Sequence, residues 1–433
     1  MPAVLRVICF LALFSIAACA SPDGAPDPGP SVPIGRWADT SSVEIVRNDK
    51  PLWTERDAWH LTPEATLQIG VVEGDAAYQL AQAHSPVRLS DGTIAVANMA
   101  TNQIRFFNSR GRYIRDVGGA GQGPGEFEQL YRMKKINGDS LMALNPATLT
   151  SIFTPDGRYI RRFTLDLVNG RPNMWWLGRL DSGVLLAHSL MEKGTQFEGR
   201  SPESDGHEGR IIRPERPEGY RDSLMLFLYT MDGKMIDSLG DLPSQYLGDN
   251  EAFAPNGGYA FHKNRFFHGP GDVFEIRVFE LRRGADPPLG APPEGFRVRL
   301  EKVITRAPVR DLTVTAELQK AYIDAEWEQL RKFNLPPGAR PNLPDKFPAR
   351  FPAHGRLLAD AEGNLWVQEY ALLAETATRW TVLDPNGRWL GMVDMPEYFN
   401  VNEIGPDYAL GIWRDDAGVQ YVRMYGLVKP GGR

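Results

Sequence analysis

Short apolar runs separated by polar, glycine-bearing turns recur along most of this chain. FNSRGRYI at 107–114 returns as FTPDGRYI at 153–160, and YTMDGKMI at 229–236 and LDPNGRWL at 383–390 share its form. Each is an apolar strand end, a polar turn closing on glycine, a basic residue and a new apolar strand. Asp-Gly and Asn-Gly between apolar runs mark hairpins, because glycine enters positive φ without a Cβ clash. A second pattern lies upstream: SDGTIAV at 90–96, LDSGVLL at 180–186 and DAEGNLWV at 360–367 each open an apolar strand after a turn. One unit therefore reads turn, strand, polar gap, strand, glycine turn, strand.

A period of roughly 40–50 residues with about four strands is the signature of a β-propeller blade. Units fall near 80–118, 126–166, 173–242, 253–302, 345–396 and 399–427. The last is short by one strand, and TLQIGV at 66–71 is expected to complete it, closing the ring and hiding both sheet edges. The fourth unit is the weakest match, its turn at 279–284 being degenerate, so the pattern predicts an all-β fold of six blades and leaves seven open.

Two segments break the period. Residues 192–222 are polar with mixed charge and read as a long loop in the third unit. Residues 310–333 read as a helix, an insertion of about 310–335: Thr315 caps it, Glu317 suits its positive end, and Ile323, Trp327, Leu330 and Phe333 form an apolar stripe with Leu318 and Tyr322 as a second flank. Its expected place is on a face of the propeller, as a cover or as a lid over the axis.

The stretch GGAGQGPGEF at 118–127 resembles a phosphate loop on its own. No Gly-Lys-Ser/Thr follows, and Pro124-Gly125 leads toward another strand rather than a helix. Gly119, Gly121, Gly123, Pro124, Gly125 and Phe127 are therefore assigned to the crossing between two blades. Other chemistry is sparse. The seven histidines form no tight ligand pair, spacing points to no metal site, and no G-x-S-x-G occurs. Arginines stand beside the glycine turns or at looser spacing: Arg88, Arg179, Arg132 and Arg356, with Trp175 and Trp176 nearby. If they open the first strand of each blade they ring one mouth of the channel, where guanidinium forks over aromatic rings hold a carboxylate, phosphate or acidic sugar. The competing assignment pairs each with an aspartate of its own or a neighbouring blade, such as Asp91 and Asp181.

The 433 residues carry a net charge of −6, without a basic run, which argues against nucleic acid as a partner. The apolar VICFLALF at 7–14 is too short to span a bilayer and has the layout of a signal peptide. IAAC at 16–19 follows it and resembles the lipobox of bacterial lipoproteins, which implies cleavage of 1–18, lipidation of Cys19 and, with Ala20 and Ser21 next, sorting to the outer membrane. Of the two cysteines, Cys9 leaves with the signal and Cys19 carries lipid. Residues 19–40 are rich in Pro, Gly and Asp and read as a tether ahead of one propeller domain at 41–430.

Over residues 61–427 the blade junction, the Asp-Gly strand starts and the hairpins resemble the NHL and six-bladed propeller group, and its bacterial lipoproteins in particular. That resemblance is specific for fold and poor for function. Together with the arginines it leads to the expectation of a lipid-anchored envelope module that binds a small anionic ligand or a protein, without a cofactor. Two alternatives remain: a scaffold in an envelope complex, and a metal-dependent hydrolase or lyase like the gluconolactonases, whose metal is assembled at the axis from several blades and is invisible to spacing. A Cys19→Ser variant is expected to lose incorporation of a fatty-acid probe in cells; retained labelling would remove the lipid anchor.

Overall fold

The computed structural model describes residues 43–430 apart from 146–148, 167–174, 182, 192–195, 199–209, 213–220, 247–251, 284–295, 333–342, 345 and 373–374. The signal segment, Cys19 and the tether thus lie outside the described residues. Six antiparallel sheets follow one another along the chain as the blades of a propeller. Blade 1 pairs Ala83–Arg88, Ile94–Asn98, Gln103–Phe107 and Tyr113–Gly118 in that order. Blades 2 to 5 repeat this over 132–164, 175–246, 258–306 and 357–394. First strands of neighbouring blades lie against one another, for example blade 1 against 2 and blade 4 against 5, so the first strand is the innermost.

The core is built between blades rather than within them. Six apolar clusters occupy the six interfaces. Strand alternation explains how one sheet serves two of them. In blade 1, Ala95 and Ala97 pack toward blade 2, while Ile94 and Val96 pack toward blade 6. With both faces covered, the strand shows no polar alternation: Ile94, Ala95, Val96 and Ala97 are all fully buried.

Blade 6 has three strands of its own, Phe399–Ile404, Tyr408–Arg414 and Gln420–Val428. The fourth position is taken by Leu67–Ile69, paired antiparallel with Met424 to Val422, and by His60–Leu61 beyond it. This is the closure expected for 66–71. The fourth unit is a single blade: residues 279–283, expected as a degenerate turn, instead belong to the strand Glu275–Arg283, which pairs with Phe296–Arg306, while residue 284 lies outside the described residues. The open alternative of seven blades is thereby settled at six.

One feature had no signal in the repeat. Glu44–Asn48 adds a parallel strand to the rim of blade 4, and the chain then crosses to blade 5, where Leu52 and Trp53 donate backbone bonds to Trp389 and Leu390. It continues to blade 6 before entering blade 1, so residues 44–69 strap the rims of three consecutive blades. Asn48 fastens the strap. Its Oδ1 accepts from Trp389 N at 2.8 Å, and its Nδ2 donates to the Gly387 carbonyl at 3.0 Å and to the Thr305 carbonyl at 3.2 Å. Trp53 lies over Gly391, where any Cβ would sit 2.2 Å from its ring, and stacks on Trp59.

The helix forms at Ala316–Lys332, with the Thr315 hydroxyl accepting from Leu318 N at 3.3 Å. Its packing differs from the expected stripe. The flank Leu318 and Tyr322 is the one that docks, onto Phe253 and Phe347 above Leu312, Val314 and Phe351. Trp327, the centre of the expected stripe, is 40% exposed. The reason is geometric: the neighbouring apolar surface lies under the start of the helix, and only the flank through 318 and 322 faces it. Phe333 and the stop at 334–338 lie outside the described residues. Most of the 192–222 insertion does too; within it Gln196–Glu198 and Arg210–Ile212 pair as a short antiparallel ribbon. No helix among the described residues is long and apolar enough to cross a membrane.

Replacing Asn48 by Ala leaves the Trp389 N–H and the Gly387 carbonyl without partners in a buried site and is expected to cost about 2–4 kcal/mol. Urea unfolding monitored by tryptophan fluorescence measures it; a loss under about 0.5 kcal/mol would mean the strap does not hold the rim.

Candidate functional site

The junction GGAGQGPGEF sits where the rim strand of blade 1 hands over to the inner strand of blade 2. Four of its amide groups, those of Gly121, Gly123, Glu126 and Phe127, are already used within the stretch. Gly123 N donates to the Glu126 carboxylate at 2.8 Å, Gly121 N to the Phe127 carbonyl at 3.1 Å, and Phe127 N to the Gly119 carbonyl at 2.8 Å. A carboxylate of the chain itself thus fills the cradle a phosphate would need. Gly118, at φ +91°, lies against the Phe127 ring, 2.6 Å from where a Cβ would stand. Phe127 is fully buried between blades 1 and 2, its ring 5.8 Å from that of Phe153.

The expected arginine ring is divided between two mouths. Inner strands of a propeller all run the same way along the axis, so residues at strand starts and ends belong to opposite mouths. The Asp-Gly turns join first to second strands, not rim to first strand as the arginine reading required. Arg88 and Arg179 therefore end their inner strands. Arg88 lies 4.8 Å over the Tyr408 ring, and Arg88 and Arg179 fold back over the glycines of their own turns, Gly92 and Gly183. Neither pairs with Asp91 or Asp181 among the described residues. Arg132 and Arg356 stand at the starts. Trp176 belongs to neither mouth: it is fully buried between blades 2 and 3 with its indole N–H on Thr150 Oγ1 at 3.1 Å. Trp175 heads the inner strand of blade 3, and its side chain lies outside the described residues.

The start mouth gathers more charge than the arginines alone. On the inner strand Arg132–Lys135, Met133 packs toward blade 1, so Arg132 and Lys134 face the other way. Lys134 reaches the inner strand of blade 3, its Nζ donating to the Leu177 carbonyl at 2.7 Å. It touches open water within the ring yet has protein on every side, so its charge is poorly solvated. Desolvation, then the Arg132 charge, push its amine down to about 8. Arg356 donates to Asn400 Oδ1 and to the Val401 carbonyl at 3.2 Å, and is also lowered by desolvation and by Arg132. His188, buried in blade 3, is pushed to about 3 by burial and then by Arg132 and Lys134; its Nε2 meets the Tyr259 hydroxyl of blade 4 at 3.1 Å. His84 of blade 1 is lowered chiefly by burial, with Arg132 adding to it. One guanidinium thus acts on groups of blades 1, 2, 3 and 5, which places Arg132 near the axis.

At the end mouth the charges are mixed. Glu403 of blade 6 accepts from the Tyr408 hydroxyl and from Arg88 N at 3.4 Å, and lies 3.8 Å from Lys135. Burial raises its carboxyl, and Lys135 opposes that. The helix Ala316–Lys332 and the glycine junction belong to the start mouth, since they join rim to inner strands.

Among the described residues no group of three or more His, Cys, Asp or Glu side chains is placed to hold a metal ion. The axial metal implied by the gluconolactonase resemblance does not fit the start mouth, where Arg132, Lys134 and Arg356 repel a divalent cation. Lys134 was missed in the sequence because the first strand was sought after the Asp-Gly turn. Counting one strand back makes 132–135 an inner strand and sets 132 and 134 on one side.

Residues 79–168, covering blades 1 and 2, match a protein family described as a 6-bladed beta-propeller. No curated protein matches the chain in sequence. Among solved structures, a nominally exported protein of Bacteroides fragilis is 10% identical, with 90% of this chain and 99% of that one covered and a TM-score of 0.46. A Bacteroides vulgatus protein of the DUF4221 family is 11% identical over 87% and 100%, also at 0.46. The calcium-binding protein regucalcin of Agrobacterium tumefaciens is 12% identical over 90% and 98%, at 0.37. The chain is a six-bladed β-propeller.

Phe127→Ala is expected to destabilise by about 3–5 kcal/mol without creating or removing nucleotide binding. Calorimetric titration with ATP beside a denaturation curve tests both parts, and saturable binding by the wild-type chain would return the junction to the phosphate-loop class.

Proposed function

We propose that this chain is an exported, lipid-anchored propeller that binds a small anionic ligand at the start mouth of its channel, through Arg132, Lys134 and Arg356. The observation that carries this reading is the convergence of three cations from blades 2 and 5 at a water-reached site, with Arg132 opposing the charge of both others. Cations held together against mutual repulsion gain when an anion joins them. The ligand class is a carboxylate, phosphate or acidic sugar. Export and the anchor at Cys19 rest on the apolar run and the small residues before that cysteine. The earlier candidates Arg88 and Arg179 end their strands at the far mouth and Trp176 is buried in the core, so all three drop out of the ligand set of the start mouth.

The pH dependence follows from Lys134. Its amine is held below its ordinary value, so it is charged below about pH 8 and neutral above. Affinity for an anion is therefore full below that pH and falls as pH rises through it, the bound form shifting the fall upward. Titration calorimetry with citrate, phosphate and galacturonate at several pH values is the measurement. Arg132→Ala is expected to weaken binding about tenfold or more, and Lys134→Met to flatten the pH profile. Equal affinities for wild type and both variants would overturn the assignment.

A further inference from the structure

We propose that Lys134 is a nucleophilic amine that captures the carbonyl carbon of a small 2-oxo acid as an imine, while Arg132 and Arg356 hold the acid's carboxylate. The proposal rests on the anion-binding reading of this mouth and adds a covalent step to it. The geometry has three parts. Lys134 and Arg132 lie two residues apart on one side of an inner strand, about 6.6 Å between their Cα atoms. The Lys134 side chain is open to water inside the ring, so a ligand can reach it, and one hydrogen bond to the Leu177 carbonyl fixes its Nζ. A neutral amine keeps that bond with a single N–H and leaves its lone pair for a carbonyl carbon.

The surroundings favour that neutral form. The charge acting on Lys134 is that of Arg132 on its own strand; Lys134 in turn acts on His188 of blade 3, which burial keeps neutral, and Arg132 acts on Arg356 of blade 5. Desolvation and the Arg132 charge both raise the share of neutral amine above that of an ordinary lysine. Desolvation beside another cation is a recognised way to activate a lysine toward carbonyls. A 2-oxo acid carries its anion and its electrophile on adjacent carbons, which suits cations and amine gathered at one site. In the step itself, the Nζ lone pair forms the C–N bond as the carbonyl π pair moves to oxygen. The oxygen then departs as water with the two protons of the amine. No oxidant or reductant is consumed.

The test treats the wild-type protein with pyruvate and sodium cyanoborohydride, which reduces the imine to a stable secondary amine, and maps the modified lysines by peptide mass spectrometry. Lys134 is expected to be labelled at least about tenfold faster than the mean of the other lysines, the rate rising through pH 8. Acetone, the same kind of electrophile without a carboxylate, is expected to show a weaker preference for it. Lys134→Arg removes the amine, and the total label per chain is expected to fall by the share that Lys134 takes in the wild type. Even labelling across all lysines, with pyruvate binding intact, overturns the covalent step and leaves the anion site standing. Equal preference for Lys134 with acetone and pyruvate overturns the substrate class. No pyruvate binding by the wild-type chain, together with none of the other anions, overturns the reading beneath it.

Discussion

Everything in this ring depends on one non-local pairing, that of Leu67–Ile69 with the Met424 to Val422 stretch of Gln420–Val428. A blade has no core of its own. Its faces are covered only by the blades before and after it, so a row of six leaves the faces between the first and last exposed until the row closes on itself. That closing interface holds Leu67, Ile69, Ile94, Val96, Phe107, Leu410 and Val422, contributed from both ends of the chain. Every other interface can form from segments adjacent in sequence. This one brings together residues some 355 positions apart, and its loop-closure entropy must be met by burial already gained elsewhere.

The same closure fixes the chemistry. Inner strands held in a ring, all running one way, sort side chains by position along the strand into two mouths of unlike character. Arg132 begins a strand and Arg356 directly precedes one, with the charge of the first acting on the second, whereas Arg88 ends a strand and meets Glu403 and Tyr408 at the other mouth. Between the rim strand of blade 4 and the second strand of blade 5, by contrast, the buried cation has its own counter-charge, Arg306 donating to Glu369 at 2.7 and 3.1 Å with the Phe274 ring 4.1 Å from the guanidinium carbon. Both arrangements use cations, and only the one at the start mouth opens to water.

The blade count, the order of blades and the closing strand were legible from repeated glycine turns, because a type of turn needing positive φ leaves glycines such as Gly111, Gly157 and Gly387 at matching places. The helix was legible from its cap and spacing. Its docked flank was not, since Leu318 and Tyr322 are chosen by where Phe253 and Phe347 lie, and those are distant in sequence. The strap left no trace for the same reason: Glu44–Asn48 has neither turn nor repeat, and its pairing partner is a rim strand more than 250 residues later. The candidate site was half legible. Arginines near turns drew attention, but which end of the inner strand they occupy depends on a one-strand offset that period alone does not fix. Lys134 carried no motif, and its character arises from neighbours on other blades.

The strap has a mechanical side. Glu44–Asn48 is joined to its neighbour by five consecutive parallel pairs, Glu44 with Lys302 through Asn48 with Arg306. A pull on the chain ahead of residue 44, directed along the strand, loads those pairs together instead of peeling them singly, and passes the force at once to blade 5 through Asn48. Tension arriving from that side is thus spread over the rims of three blades before it reaches the strand that shuts the ring. The fold carries its own strain relief, much as a cable is clamped to a housing ahead of its solder joint.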